Sequence, residues 1–356
     1  MASLGETILT IAIPTYNRAV FLNKALNSIQ TQLIGYEDLV EIIVSDNCST
    51  DNTAETVTAF IDNGVNVRYI INAANIGADL NIAQCFLEAH SKFVLILGDD
   101  DFFLAGAIEK IIAIIQNKGD AGIIFVNGAS YNDKFEVIKT PSSQDGSFDV
   151  YHNKSDFVKR VNYYLTFISG NIIKKELVDK DVNLDDFKKT NLIQLGWVIP
   201  AFINSPYNVV VEENLLGIGS VENTGGYKLF DVFGEKFNLI MKAFIAKGFN
   251  QKYINIVNNS LIISFFPPFL VMNKSAANGR LVSEDPSPVL YSNFKKYGAF
   301  WVALFPILLL PRQFCRFGIA GSMLLKKMTD VRSILFARLN KNTIRIEKGY
   351  YSYQSK

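Results

Sequence analysis

The chain has 356 residues, 49% of them apolar and 12% aromatic, enough to bury a large core and to form one large domain with an addition, or two domains. Its net charge of +1 conceals an asymmetry, because residues 291–356 carry +10 and the first 290 carry −9, which suggests a basic appendage facing an anionic partner. Cys48, Cys85 and Cys315 are too far apart for a zinc site or a disulfide framework, which excludes the small metal-stapled and secreted scaffolds.

The start of the chain lacks a basic-then-apolar signal segment, so the expected compartment is a reducing cytoplasm. No uncharged apolar run is read as reaching the roughly 18–20 residues of a membrane span. Residues 8–14 read as a buried first strand stopped by Pro14, with Tyr16, Asn17 and Arg18 at its tip. Phe21, Leu22, Ala25, Leu26, Ile29 and Leu33 then recur at helical spacing. Residues 41–46 form a second strand ending in Asp46, followed by a turn rich in helix-capping types and a short helix over 54–62. A third strand over 67–71 leads to a loop at Asn75-Ile76-Gly77, then a helix over 80–90 that ends at His90.

Residues 93–97 are five apolar residues rich in β-formers, a strand buried on both faces, and Asp99, Asp100 and Asp101 follow at its carboxyl end. In an open α/β sheet that edge is where ligands bind. Adjacent carboxylates repel unless a cation offsets them, and Mg²⁺-like ions take one or two carboxylates plus substrate phosphates. The tripeptide therefore suits a metal–diphosphate site, or else a solvated acidic turn that caps the next helix. A helix around 107–115 and a strand over 122–126 continue the alternation, which predicts an α/β, doubly wound, mostly parallel sheet. Residues 128–156 read as polar and irregular, residues 167–174 as a strand that rejoins the sheet, and the chain beyond 228 as mostly helical.

Four pieces fall into one ordered pattern: residues 10–18 through Pro14-Thr15-Tyr16-Asn17-Arg18, residues 43–53 around Asp46, Asn75-Ile76-Gly77, and Leu97-Gly98-Asp99-Asp100-Asp101. Together they resemble the family-2 glycosyltransferases, nucleotide-diphospho-sugar enzymes of the A-type glycosyltransferase fold. Within that family the chain looks most like the bacterial branch that builds O-antigen and capsule repeat units, the abequosyltransferase-like enzymes, which also carry a glycine where many relatives place the first acid of Asp-x-Asp. The resemblance implies that Pro14, Tyr16, Arg18, Asn75 and Gly77 line the donor pocket, Asp46 holds the base, Asp99 lies near the ribose, and Asp100 with Asp101 serves a Mg²⁺ or Mn²⁺ ion. A tyrosine ring can stack on a base, and a carboxylate can accept from a ring N–H.

The resemblance also implies an acidic pair later in the sheet, one member of which deprotonates the acceptor with inversion. Residues 191–197 hold no acid. The base candidates are Asp101, Asp185, Asp186, Glu212 and Glu213, although Asp185-Asp186 beside Lys188-Lys189 also reads as a solvated face. The stretch from Gly217 to Gly226 is a mobile loop closing over the donor or an ordinary surface loop.

The expected division is a catalytic domain over 1–227 and a basic, apolar helical region over 228–356. Residues 299–311 are strongly apolar but too short to span a bilayer, and lysines flank them. Such helices lie in the headgroup region of an anionic membrane, or pack on the catalytic domain with their lysines solvated. The expected activity is transfer of a sugar from a nucleotide donor to a hydroxyl of a saccharide, held on a polyprenyl diphosphate at the inner face of the cell membrane. Two alternatives remain: a nucleotide-sugar-binding protein without catalysis, prompted by the missing acids, and a nucleotidyltransferase. The latter normally opens on a glycine-rich basic loop where this chain has residues 14–18. A nucleic-acid partner is not expected, because the basic end is interleaved with aliphatic runs and lacks a stacking surface.

Overall fold

The apolar runs that carry no helical period become the central strands of a single sheet. In the computed structural model, which describes residues 7–138, 146–178, 183–219, 226–274, 284–339 and 346–350, the chain alternates β1 (Leu9–Thr15), α1 (Ala19–Gln30), β2 (Val40–Asp46), α2 (Thr53–Asp62), β3 (Val67–Ile71), α3 (Ala78–Glu88) and β4 (Phe93–Ile96). Strands β1 to β4 are parallel, in the order β4-β1-β2-β3. Leu9, Ile11 and Ile13 point to one core with α1 and α2, and Ala12 to the other, so both faces of β1 are covered.

The second half widens the sheet. After β5 (Phe102–Phe103) and α4 (Ala107–Asn117) come β6 (Ala121–Ser130), β7 (Ser147–Tyr151), α5 (Lys154–Val161), β8 (Asn171–Lys174), α6 (Leu195–Asn204) and β9 (Tyr207–Ile218). The full order is β10-β7-β9-β6-β8-β4-β1-β2-β3, with β10 (Ile346–Tyr350) at the edge. Only β7, β8 and the two-residue β5 run against the rest, so the sheet is mixed and mostly parallel. The strand expected over 167–174 does rejoin the sheet, antiparallel between β4 and β6. It begins only at Asn171, because Ile168–Gly170 turns as a 3-10 helix. Strands β7 and β10 lie in stretches that read as irregular and helical.

Helices α7 (Phe237–Ala243), α8 (Gln251–Ser260), α9 (Phe266–Asn273), α10 (Ser287–Phe294), α11 (Phe305–Leu309) and α12 (Arg316–Leu339) follow. They pack on the sheet layer through aromatic contacts: Phe202 lies 5.9 Å from Phe249 and 5.4 Å from Tyr253, and Tyr163 lies 5.1 Å from Phe265. One hydrophobic cluster runs from Ile96 and Trp197 through Phe237 and Val257 to Ile307, with no break at 227. A π-turn joins α8 to α9 into a helix over Gln251–Asn273, 23 residues long and apolar enough to cross a membrane by length and composition. This corrects the expectation that no segment reaches that length. Four asparagines and two prolines masked it in the sequence. Ile254, Val257, Leu261 and Phe266 are buried in the shared core, and the buried Asn258 amide donates to Asn238 at 2.7 Å and to the Tyr297 hydroxyl at 3.0 Å while its Oδ1 is left without a partner, which places this helix in the protein core.

Candidate active site

The parallel register decides which residues meet. Thr15 pairs with Asp46 and Ala12 with Ile96, so the tips of β1, β2 and β4 end side by side. Asp99 is 6% exposed. Its Oδ1 faces Nη1 of Arg18 at 3.0 Å, and its Oδ2 accepts from the Thr15 hydroxyl at 2.9 Å. The same guanidinium donates through Nη2 to Oδ2 of Asp100 at 2.9 Å. The Asp100 carbonyl accepts from the Tyr131 hydroxyl at 2.7 Å. Asp101 turns inward, with Oδ2 accepting from the Ser169 hydroxyl at 2.5 Å and Oδ1 from the Gly219 N–H at 3.0 Å.

Electrostatics follow from this crowding. Burial pushes Asp99 up to about 7, with Arg18 pulling it down and Asp100 adding to the rise. Burial, then the Asp100 charge, raises Asp101 as well. Burial opposes the charge on Arg18, but Asp99 and Asp100 outweigh it, and its pKa rises. Three carboxylates with one bridging guanidinium leave a surplus of negative charge, which favours a further cation. Gly98 packs closely against the acids: a Cβ there would lie 3.1 Å from Oδ1 of Asp100 and 3.3 Å from Oδ2 of Asp101, so those side chains would have to shift by a few tenths of an ångström to admit one.

Asp46 ends β2 in register with Thr15 of β1. Its Oδ2 accepts from the Tyr69 hydroxyl at 2.7 Å and its Oδ1 from the Ser49 N–H at 2.8 Å, which leaves each oxygen a second lone pair. Next to it, Asn47 donates to Asn75 at 2.9 Å and accepts from the Ile76 N–H at 2.9 Å. These bonds tie the Asn75-Ile76-Gly77 loop to the Asp46 strand tip. Gly77 has φ +87° at the start of α3, a backbone state that favours glycine. Tyr16 is 43% exposed at the β1 tip, open to a planar ligand.

The profile of Glycosyl transferase family 2 matches residues 10–180, the stretch that carries all of these tips. Residues 10–180 are a family-2 glycosyltransferase domain. The chain is 30% identical over 175 residues to the GalNAc(5)-diNAcBac-PP-undecaprenol beta-1,3-glucosyltransferase of Campylobacter jejuni, covering 48% of this chain and 53% of that one. It is 27% identical over 183 residues to abequosyltransferase RfbV of Salmonella typhimurium, covering 48% and 54%. It thus spans about half the length of the curated relatives it matches. The crystal structure of S. aureus TarS 1-349 in complex with UDP superposes with a TM-score of 0.59 at 18% identity, over 86% of this chain and 92% of that one. That likeness shows a shared fold, including the helical region beyond the family-2 domain.

The four later base candidates do not join the acids of the family-2 domain. Glu213 pairs with Lys110 at 2.5 Å and Glu212 with Arg160 at 2.8 Å. Glu213 precedes Gly219 by six residues of extended chain, about 20 Å. Asp185 pairs with Lys188 at 2.6 Å on the 3-10 turn Leu184–Phe187, and Asp186 lines a cavity of about 350 Å³ with Lys236 and Phe244. Neither shares a hydrogen bond or ion pair with Asp99, Asp100, Asp101 or Arg18. Gly217 near the end of β9 and Gly219 just past it lie against Phe102 and Asp100. Residues 220–225 of the expected loop lie outside the described residues. Sequence reasoning missed Thr15, Tyr69, Asn81, Tyr131 and Ser169 as partners. Asn81 accepts from the Ser45 hydroxyl at 2.7 Å and donates to the Ser45 carbonyl at 3.0 Å, and its only sequence signal is a polar residue inside an amphipathic helix.

Proposed function

We propose that this protein transfers a sugar from a nucleoside diphosphate donor to a hydroxyl of a saccharide in bacterial surface polysaccharide synthesis. One observation carries the reading: the parallel register places Asp46, Arg18 and the acids Asp99 to Asp101 at one sheet edge, where open α/β sheets bind ligands. The named relatives support it. TarS has been crystallised with UDP and with UDP-GlcNAc, and the Campylobacter relative is named for an undecaprenol-linked acceptor. A lipid-linked acceptor at the inner face of the membrane, with the enzyme held peripherally there, is the reading these names favour. The same proposal assigns the chemistry to residues 1–227 and membrane contact to the helical residues beyond 228, as two regions that share one core.

The donor set fits a divalent cation. Asp100 is partly exposed and Asp101 buried, both hard oxygen donors, and the described residues hold no group of three or more His, Cys, Asp or Glu side chains that would complete a shell without the substrate. Mg²⁺ or Mn²⁺ would take these carboxylates together with the donor diphosphate, supplying charge neutralisation to the leaving group. Arg18 contributes fixed positive charge at the same place. Asp99, held by Thr15, is set for the ribose, and Asp46 for the base. Of the five base candidates only Asp101 lies beside Asp99 and Asp100, but Ser169 and the Gly219 N–H occupy its two oxygens, so it is proposed as a metal-site carboxylate and not as the proton acceptor.

Asp100→Ala tests the assignment. It should abolish the stabilisation that UDP with Mn²⁺ gives the folded protein and lower turnover by at least about 100-fold, the scale of losing a charge-stabilising group. Unchanged turnover at saturating metal would overturn the metal role. The second reading, a binder without catalysis, is favoured by the ion-paired state of Glu212 and Glu213. It predicts a UDP-induced rise in Tm with no release of free sugar from any nucleotide sugar, whereas slow hydrolysis without acceptor supports the transferase.

A further inference from the structure

The last two described helical segments form a hairpin whose inner face is fixed by small residues. A Cβ on Gly318 would lie 2.3 Å from Ile307 and 2.8 Å from the Ala303 carbonyl oxygen, and one on Gly321 would lie 2.6 Å from the Val302 carbonyl oxygen. The Phe300–Leu309 segment and α12 therefore lie backbone to backbone, with the Ser322 hydroxyl donating to the Ile263 carbonyl beneath. This fixes which side of α12 faces outward. Phe317, Ala320, Leu324 and Met328 recur at three- and four-residue steps, and all are exposed, Phe317 by 57% and Leu324 by 59%. Across the hairpin Leu309 is 67% exposed and Trp301 43%. Isolated exposed apolar residues are ordinary, but a two-helix face of large ones marks an interaction surface.

Charge identifies what covers it. Residues 291–328 contain six Lys or Arg and no acid, within a chain whose first 290 residues are net −9. Lys295 and Lys296 lie over the rings of Tyr291 and Tyr297 at 5.1 and 5.2 Å, and the Trp301 indole donates to the Lys295 carbonyl at 2.9 Å. Lys326 and Lys327 are exposed at the far end of the apolar stripe on α12. Apolar side chains in one face, amphipathic aromatics at its rim and lysines at both ends match the depth profile of a bilayer surface: acyl chains, then the headgroup boundary, then anionic phosphates.

We propose that this hairpin face is the surface by which the protein docks on an anionic lipid bilayer, lying in the headgroup layer without spanning it. The proposal deepens the peripheral-membrane part of the function above and rests on that reading for its purpose, but not for its test. Full-length protein is sedimented with phosphatidylcholine vesicles, with and without phosphatidylglycerol. It should partition to the anionic vesicles, and less so as salt rises. Phe317→Ser with Leu324→Ser should weaken that binding at least about tenfold. Lys296→Glu with Lys327→Glu should erase the preference for phosphatidylglycerol. The rise in Tm with UDP and Mn²⁺, measured on the same samples, should survive in both variants and reports the donor site separately. Wild-type protein left in the supernatant with both vesicles, or variants that bind like wild type, would overturn the proposal. So would a wild-type dimer in sizing that the Phe317→Ser, Leu324→Ser pair converts to monomer without changing vesicle binding.

Discussion

Ser169 holds the site together with one hydroxyl. It donates to Asp101 at 2.5 Å and accepts from the Gly98 N–H at 2.8 Å, so one atom fixes both the side chain and the backbone of the acidic turn. Removing it leaves a partly buried N–H and a buried carboxylate each short of a partner. Ser169→Ala should lower stability by about 1–3 kcal/mol. It should also raise the donor KM more than it lowers kcat, because the turn is misplaced and no charge is lost. Denaturant unfolding and steady-state kinetics check the two effects, and an unchanged donor KM would show that Ser169 is only structural packing. The acids themselves were legible, since three carboxylates directly after an apolar run stand out in any sequence. Ser169 was not, because it lies 68 residues from Asp101 and meets it only through the antiparallel entry of β8.

Elements were legible in proportion to how deeply they are buried. Strands β1, β2 and β4 were placed within a residue or so, because parallel strands covered on both faces read as mostly apolar runs. Strands β7 and β10 were not, since they sit at or beside the sheet edge and alternate polar with apolar residues. Helix α3 shows what periodicity cannot convey. Its first turn buries Asp79, whose Oδ2 accepts from the Asn191 N–H at 3.2 Å. Lys189 and Asn191, with φ of +61° and +57°, are thereby held in a turn of left-handed backbone just before α6. Burial raises the Asp79 pKa above the ordinary aspartate value, with the N–H groups of residues 189–191 pulling it down. The folded state therefore binds the Asp79 proton more tightly than the unfolded state. Its contribution to stability is complete at low pH and is lost as pH rises from the unfolded value through the folded one. Thermal unfolding of Asp79→Asn and wild type over roughly pH 3 to 8 should show the variant gaining on wild type as pH rises, then running parallel to it. A difference that is flat with pH would show that Asp79 ionises as freely in the fold as in the unfolded chain.

At the scale of the whole molecule, the change of architecture near 228 is not a change of core. Phe202 on α6 touches Phe249 and Tyr253, Phe187 lies 6.0 Å from Phe244, and Trp197 stacks on Phe86 at 4.5 Å within the same cluster. Strand β10 then returns to pair with β7, so the far end of the chain completes the sheet that the start of the chain begins. A catalytic unit cut after residue 227 would uncover Phe202 and Phe187 where Phe249, Tyr253 and Phe244 now lie, and each large side chain so uncovered forfeits about 1.5–3 kcal/mol. Against a typical total of roughly 5–15 kcal/mol, losing several such contacts removes most of the stability of the fold. Calorimetry of the full chain should therefore show one cooperative transition whose calorimetric and van't Hoff enthalpies agree, and the fragment 1–227 should be insoluble or lack a sharp transition. Two resolved transitions, with the fragment melting at the temperature of one of them, would show that the helices are an independent domain that rests on the sheet without sharing its core.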